Sequence, residues 1–279
     1  MVPSAFEYFR PQTIDEAVGL LSSKEDAKIL AGGHSLVPAM KFRLAQPKTV
    51  IDISRITDLS YIREANGAIH IGAMTTHHLI ESSDLVRAKC PLLSETAANI
   101  GDVQVRNRGS IGGSLAHADP AADWPAAILA LDAELIIKGP NNQRTVKASE
   151  FFVDIMQTAL QPNEILAEIR VPATGKSVAY VKFAQKASGF AIAGVASWID
   201  KAAKSVRVGI TGIAAKAYRA TAVEEALQGR ALTPAAIAEA ARKTVQGADP
   251  LNDIHASAAF RAHLAEVNTR RSLELANSR

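Results

Sequence analysis

Two glycine-rich tracts, far apart in the chain, are the segments of this sequence best suited to bind a ligand. The first is Ala31-Gly32-Gly33-His34-Ser35-Leu36 and the second is Gly109-Ser110-Ile111-Gly112-Gly113-Ser114. Glycine tolerates positive φ and lets bare backbone approach a ligand, so that successive N–H groups can converge on an anion. Two such tracts predict a diphosphate held from two sides, and hence a nucleotide cofactor.

Main-chain amides of the first tract are expected to do most of this binding. Those of Gly33, His34, Ser35 and Leu36 can form an anion nest. A helix that starts just after Ser35 would add the positive end of its dipole to the same place. A glycine turn that joins a strand to a helix and binds nothing is the alternative for this tract taken alone.

The second tract adds hydroxyl groups. Ser110 and Ser114 bracket Gly112-Gly113, so their hydroxyls lie beside amides that are expected to be exposed. Asp119 and Asp123 follow about one helical turn apart, and their carboxylates suit ribose, ribityl or amide donors. The two aspartates are equally compatible with positions at a helix N-terminus, where they would interact with the dipole.

The residue pattern disfavours several other kinds of site. Neither tract matches the G-x-G-x-x-G fingerprint or the Gly-Lys-Ser/Thr of a P-loop. Cys90 is the single cysteine, which excludes an internal disulfide, a thiolate-bound iron–sulfur cluster and a multi-cysteine zinc site. We expect Cys90 to be buried at a helix start. The adjacent His77 and His78 point in different directions, so no metal ligands are assigned.

Composition indicates a globular protein that does not bind nucleic acid. The 279 residues are 48% hydrophobic and carry a formal charge of +3, with basic and acidic residues interleaved. No apolar stretch is long enough to span a bilayer, and the first residues lack the pattern of a signal peptide. A cytoplasmic location is expected.

The tracts are expected to lie at junctions between strands and helices. A capping box at Thr13 predicts a first helix, a strand over residues 28–30 leads into the first tract, and a helix over 37–43 and a strand over 49–53 follow it. Asn66-Gly67 predicts a hairpin, and residues 76–100 have a helical pattern. Further predicted elements are a helix over 121–131 and strands over 135–137 and 165–169.

The last part of the chain has a different pattern. Strands are predicted over residues 178–183, 191–199 and 206–213, and helices over 221–227, 234–246 and 257–276. This order indicates an α+β unit, in which a three-stranded antiparallel sheet carries helices on one face. The turn at residues 173–176 marks the expected domain boundary.

Beyond this pattern, the sequence resembles a known family. The segment from Gly109 to Pro125, the first tract with Val37-Pro38, and Lys182-Phe183-Ala184-Gln185-Lys186-Ala187-Ser188 resemble the FAD-binding medium subunits of molybdenum hydroxylases. The resemblance covers nearly the whole chain. It implies a FAD-binding domain of the vanillyl-alcohol oxidase (PCMH) type over residues 1–175, with subdomains at about 1–55 and 56–175. A small C-terminal domain over 176–279 would follow.

The residues expected to contact FAD come from the tracts and from this resemblance. They are Ile29, Leu30, Ala31, Gly32, Gly33, His34, Ser35, Leu36, Ile100, Ser110, Gly112, Gly113, Ser114, His117, Asp123, Leu166 and Lys182. By resemblance Leu166 and Lys182 lie near the isoalloxazine, and Lys182 would hydrogen-bond to the ring or stabilise its charge. Phe190 lies near a position where some relatives stack a tyrosine on the flavin. Arg106 and Arg108 could pair with the pyrophosphate or an acidic partner, or be solvated.

The function implied by the resemblance is electron transfer. A large subunit would hydroxylate the substrate at a molybdopterin centre, and two [2Fe–2S] clusters of a small subunit would pass electrons to FAD in this chain. The assembly would be a dimer of heterotrimers. No catalytic side chain is assigned, because the cofactor carries the chemistry. Substrate and final acceptor stay open. The alternatives are a free-standing flavin oxidoreductase and an interaction subunit whose tracts bind nothing.

Overall fold

A computed structural model describes all 279 residues, arranged around three main sheets in chain order. The strands are β1 (Glu7–Phe9), β2 (Ala27–Leu30), β3 (Thr49–Asp52), β4 (Ile62–Ala65), β5 (Ala68–Gly72), β6 (Glu134–Lys138), β7 (Gln143–Lys147), β8 (Phe152–Asp154), β9 (Gln157–Thr158), β10 (Ile165–Pro172), β11 (Val178–Ala184), β12 (Ala191–Asp200), β13 (Ser205–Thr211) and β14 (Tyr218–Arg219). The helices are α1 (Ile14–Ser23), α2 (Leu36–Lys41), α3 (His77–Ser82), α4 (Asp84–Lys89), α5 (Pro91–Ala98), α6 (Val103–Arg108), α7 (Ile111–His117), α8 (Trp124–Ala130), α9 (Ala148–Phe151), α10 (Thr221–Leu227), α11 (Pro234–Ala241) and α12 (Ala258–Asn277).

The first sheet is parallel, in the order β1-β3-β2. The predicted cap of α1 is confirmed, because the Thr13 hydroxyl accepts from the Glu16 N–H at 3.1 Å. Ala17 and Val18 of α1 pack with Ile51 of β3 in a small core. The first glycine tract therefore lies between the end of β2 and the start of α2, as the sequence indicated.

The second sheet is antiparallel, in the order β4-β5-β10-β6-β7. The predicted hairpin joins β4 to β5, with Asn66 and Gly67 at φ 53° and 75°. Residues of α5, α7 and α8 share one buried core with this sheet, and the Trp124 side chain in that core is inaccessible to solvent. The helical pattern over residues 76–100 is divided among three short helices, because Ser83 caps α4 and Pro91 begins α5.

The region around the second glycine tract is more helical than predicted. Helices α6 and α7 were not expected, and Ser110 is the N-cap residue of α7. Ala118 ends α7 in the left-handed conformation, at φ 51°. The Asp119 carboxylate then accepts from the Ala121 N–H at 2.8 Å. This turn explains why α8 begins at Trp124 and not at residue 121.

The third sheet confirms the α+β arrangement but has four antiparallel strands, in the order β11-β12-β13-β14, where three were predicted. The fourth strand contains only Tyr218 and Arg219, so it is too short to show an alternating pattern. Helix α12 packs along β11 and β12, and Leu264, Ala265 and Leu273 contribute to a second large core.

Residues 120–122 connect the third sheet to the preceding half of the chain. The carbonyl of Pro120 accepts from the Gly212 N–H at 2.8 Å, and that of Ala121 accepts from the Ala191 N–H at 3.1 Å. The Thr211 hydroxyl donates to the Ala122 carbonyl at 2.6 Å. A Cβ at Gly209 would collide with the backbone of α8, so this helix lies directly on β13. No helix in the structure has the length and apolar character needed to cross a membrane.

Candidate functional site

The first glycine tract has a run of free hydrogen-bond donors. None of the backbone N–H groups from Gly32 to Leu36 donates to a backbone carbonyl of the chain. Gly33 has φ of 80°, and His34 and Ser35 are exposed. The chain itself leaves five successive donors free at a half-exposed position, where water or an anionic ligand can accept from them.

The second tract differs from the expectation of exposed amides. The Ile111 N–H donates to Thr75 O at 3.1 Å, and the Gly112 N–H donates to Ala73 O at 2.8 Å. The Gly113 N–H is 3.3 Å from the Ser110 hydroxyl that caps α7. These donors are used because α7 packs closely on the end of β5.

The glycine at position 112 has a packing role. A Cβ there would lie 2.6 Å from the carbonyl oxygen of Ala73. Ser110 is buried, whereas Ser114 is half-buried. The Ser114 hydroxyl is therefore the more accessible donor of the second tract.

The two tracts lie against each other, as the sequence predicted. A Cβ on Gly32 would collide with the carbonyl oxygen of Arg108 and lie 2.8 Å from Gly109 Cα. A Cβ on Gly113 would lie 3.2 Å from Ala31 Cβ. The glycines thus bring the first sheet and α7 into contact, and they place the free amides of the first tract beside the second tract.

His77 lies directly beneath this junction. Its Nδ1 accepts from the indole N–H of Trp124 at 3.0 Å, and its backbone N–H donates to Gly109 O at 3.0 Å. Burial lowers the pKa of His77 to about 4, with smaller contributions in the same direction from the nearby His34 and Arg106. The imidazole is therefore neutral at physiological pH. No sequence pattern predicts this role, because Trp124 is distant from His77 along the chain.

Two residues expected to contact the cofactor bind each other instead of pointing freely into a cleft. Lys182 Nζ is 2.9 Å from Asp123 Oδ1 and donates to Asn99 O at 2.6 Å. The Tyr180 hydroxyl donates to the same carboxylate at 2.5 Å. The side chains of Asp123 and Lys182 are each 4% exposed. Burial raises the pKa of the Asp123 carboxyl, although Lys182 opposes this effect.

The other expected contact residues differ in burial and lie on different elements. Ile29 and Leu30 end β2 and are half-buried, Ile100 is half-buried after α5, Leu166 is buried in β10, and His117 is exposed at the end of α7.

Three residues without an assigned role are also placed. Arg106 is paired with Glu81 at 2.8 Å and donates to Ile100 O at 3.1 Å, whereas Arg108 is exposed. The Phe190 ring is exposed and lines a cavity of about 320 Å³ between residues 119–121 and the third sheet. Arg106 is therefore held within the chain and is not a free surface charge.

The structure also locates the cysteine and the potential metal ligands. Cys90 is fully buried at the start of α5, as expected, and burial raises the pKa of its thiol to about 12. No group of three or more His, Cys, Asp or Glu side chains is placed to hold a metal ion.

Comparisons with known families divide the chain into two matched regions. Residues 4–174 match the family described as the FAD binding domain in molybdopterin dehydrogenase. Residues 178–276 match the CO dehydrogenase flavoprotein C-terminal domain.

Similar proteins cover the full length of the chain. The carbon monoxide dehydrogenase medium chain of Hydrogenophaga pseudoflava is 42% identical, over 100% of this chain and 99% of the relative. The nicotine 6-hydroxylase medium subunit of Paenarthrobacter nicotinovorans is 34% identical, over 99% and 98%. A solved structure of the Hydrogenophaga pseudoflava carbon monoxide dehydrogenase superposes with a TM-score of 0.96 at 43% identity, and covers 100% of this chain and 99% of that one.

Proposed function

The chain belongs to the family of FAD-binding medium subunits of molybdenum hydroxylases, and we propose that it passes electrons from iron–sulfur clusters in a partner subunit through FAD to an external acceptor. The observation that carries this proposal is the run of five unpaired amides from Gly32 to Leu36. Successive main-chain donors that the chain leaves free suit the oxygens of a diphosphate. FAD supplies the redox chemistry when it is bound, so the chain needs no nucleophile or acid–base pair of its own.

The proposed cofactor site follows the contacts expected from the sequence. The first tract binds the diphosphate through its main chain, and Ser114 adds a hydroxyl from the second tract. Ile29, Leu30 and Ile100 supply apolar walls. Further contacts are proposed for the other residues of the set, which are Ala31, His34, Ser110, Gly112, Gly113, His117, Asp123, Leu166 and Lys182.

Partners are proposed from the family. A small iron–sulfur subunit and a large molybdopterin subunit would complete a heterotrimer that pairs into a dimer of heterotrimers, in the cytoplasm. The single, buried Cys90 supports placing the clusters outside this chain, because such clusters need several thiolates. We propose a FAD-binding domain over residues 1–175 and a C-terminal domain over 176–279.

Binding of FAD to the full chain tests the cofactor assignment. The purified chain is expected to be yellow, or to become yellow when FAD is added, with a flavin absorbance spectrum. A colourless chain that takes up no FAD would contradict the proposal. Electron transfer is tested by mixing the flavin-loaded chain with reduced partner subunits in the absence of oxygen and following the loss of flavin absorbance. An unchanged flavin absorbance would contradict the proposed transfer.

A glycine pair with matched backbone strain tests the first tract. Gly33 and Gly67 have φ of 80° and 75°, and Gly67 lies in the β4–β5 turn with open space around it. Alanine at either position introduces a strain of about 1–2 kcal/mol. Gly33→Ala is expected to weaken FAD binding, whereas Gly67→Ala is expected to leave it unchanged. Equal dissociation constants for the two variants would remove the first tract from the site.

A further inference from the structure

One ring nitrogen of the His77 imidazole, Nε2, has no hydrogen-bond partner within the chain. Trp124 donates to Nδ1, so the neutral ring carries its hydrogen on Nε2. No protein atom accepts from Nε2, although His77 is only 4% exposed. Nε2 is not one of the fully buried side-chain atoms that lack a hydrogen-bond partner, so an acceptor from outside the chain can reach it.

The position of this donor indicates what it faces. A Cβ on Gly109 would lie 2.6 Å from His77 Nε2, and a Cβ on Gly32 would lie 2.8 Å from Gly109 Cα. Nε2 therefore lies against Gly109, the residue where the two tracts meet, and His34 of the first tract is close enough to influence the charge of the ring. Packing of Trp124 and α3 fixes the ring in this orientation.

The charges around the ring favour an anionic acceptor. His34 and Arg106 are close enough to disfavour a positive charge on His77, and Glu81 pairs with Arg106 at 2.8 Å. The nearby Gly33–Leu36 amides add further positive potential. A neutral N–H donor in this field is suited to a phosphate oxygen, and the low pKa of about 4 keeps the ring neutral across the physiological range.

We propose that His77 donates a hydrogen bond from Nε2 to the diphosphate of FAD, as a binding residue additional to the glycine tracts. This inference rests on the proposed function. It assigns a purpose to a histidine that the spacing of His77-His78 had only excluded as a metal ligand.

Two substitutions separate the ligand-facing nitrogen from the structural one. His77→Asn keeps an acceptor for Trp124 near the Nδ1 position but cannot reach the Nε2 position. His77→Gln keeps an N–H near the Nε2 position but loses the acceptor for Trp124. His78→Asn is the control, because His78 is the exposed neighbour.

The expected result is that His77→Asn binds FAD about 10- to 100-fold more weakly by calorimetric titration, the range for a lost hydrogen bond to a charged group. The affinity of His77→Asn for ADP, which has the diphosphate without the flavin, is expected to fall by the same factor. His77→Gln is expected to bind FAD nearly as the wild type does but to melt at a lower temperature. His78→Asn should change neither quantity.

Contrary outcomes are distinct from one another. Unchanged FAD affinity in His77→Asn would overturn the inference while the proposed function stands. Weakened FAD binding with unchanged ADP binding would show that His77 contacts another part of the cofactor, which overturns the diphosphate assignment. A wild-type chain that binds neither ligand would remove the proposed function itself.

NMR of the unsubstituted chain gives a second measurement that does not depend on the variants folding. With ¹⁵N-labelled histidine, the Nε2–H proton of His77 is expected to exchange with water in the free chain and to become protected and shifted downfield when FAD or ADP binds. An Nε2–H signal that does not respond to either ligand would overturn the inference.

Discussion

Removing the Lys182 ammonium should destabilise the chain more than its single ion pair suggests. Lys182→Met leaves the Asp123 carboxylate 4% exposed with no positive partner, in surroundings that already raise its pKa. Loss of one partner of a buried pair costs about 3–5 kcal/mol. The total stability of a domain is about 5–15 kcal/mol, so this is a large part of it.

The coupling within the pair can be measured with a double-mutant cycle. Asp123→Asn leaves Lys182 with Asn99 O as an acceptor but without a counter-charge. The double variant is expected to be less destabilised than the sum of the two single variants, because neither charge is then left alone. Lys48→Met is the control, since the Lys48–Glu25 pair is highly exposed, and no measurable change is expected.

Urea unfolding followed by circular dichroism and by tryptophan fluorescence gives these free energies, and Trp124 directly follows Asp123. Additive effects, or a change of less than about 1 kcal/mol in Lys182→Met, would refute the view that this pair is a buried structural contact between β11 and α8.

Two further predictions concern the glycine junction and His77. Gly32→Ala is expected to reduce both stability and FAD content, because the new methyl group would collide with the Arg108 carbonyl. Gly19→Ala in α1 is the control, since the space around Gly19 is open and alanine is expected to raise the melting temperature slightly. Equal melting temperatures of the two variants would contradict the packing role of Gly32. The pKa of His77 is about 4 in the folded chain and 6.5 without the fold, so the stability that it contributes is complete above pH 6.5 and is lost as the pH falls towards 4, by about 3 kcal/mol. The difference in urea stability between wild type and His77→Asn, measured from pH 7 to pH 4, should show this slope, and parallel pH profiles would contradict it.

Local sequence patterns predicted those parts of the fold that depend on local chemistry. The Thr13 cap, the Asn66-Gly67 turn and the helix after Ser35 each depend on residues close together in the chain, and each is found. The strand Tyr218–Arg219 was missed because pairing with β13, and not its own pattern, makes it a strand.

The candidate site was predictable to a similar extent. A glycine that faces a ligand and a glycine that packs against backbone both need the absence of a Cβ, so sequence could not separate Gly33 from Gly112. Lys182 pairs with Asp123, and His77 accepts a hydrogen bond from Trp124. Both pairs are distant along the chain and are brought together only by tertiary packing. These roles therefore required the structure.

Residues 120–122 limit how this protein can be recombined with its relatives. They follow the helix of the second glycine tract and are hydrogen-bonded by the third sheet, so a chimera joined near residue 175 inherits one side of this contact from each parent. A relative that supplies the C-terminal half of such a chimera needs a hydroxyl at the position of Thr211 and a glycine at the position of Gly209. Without them, the graft would shift α8 and, through it, Trp124 and Asp123.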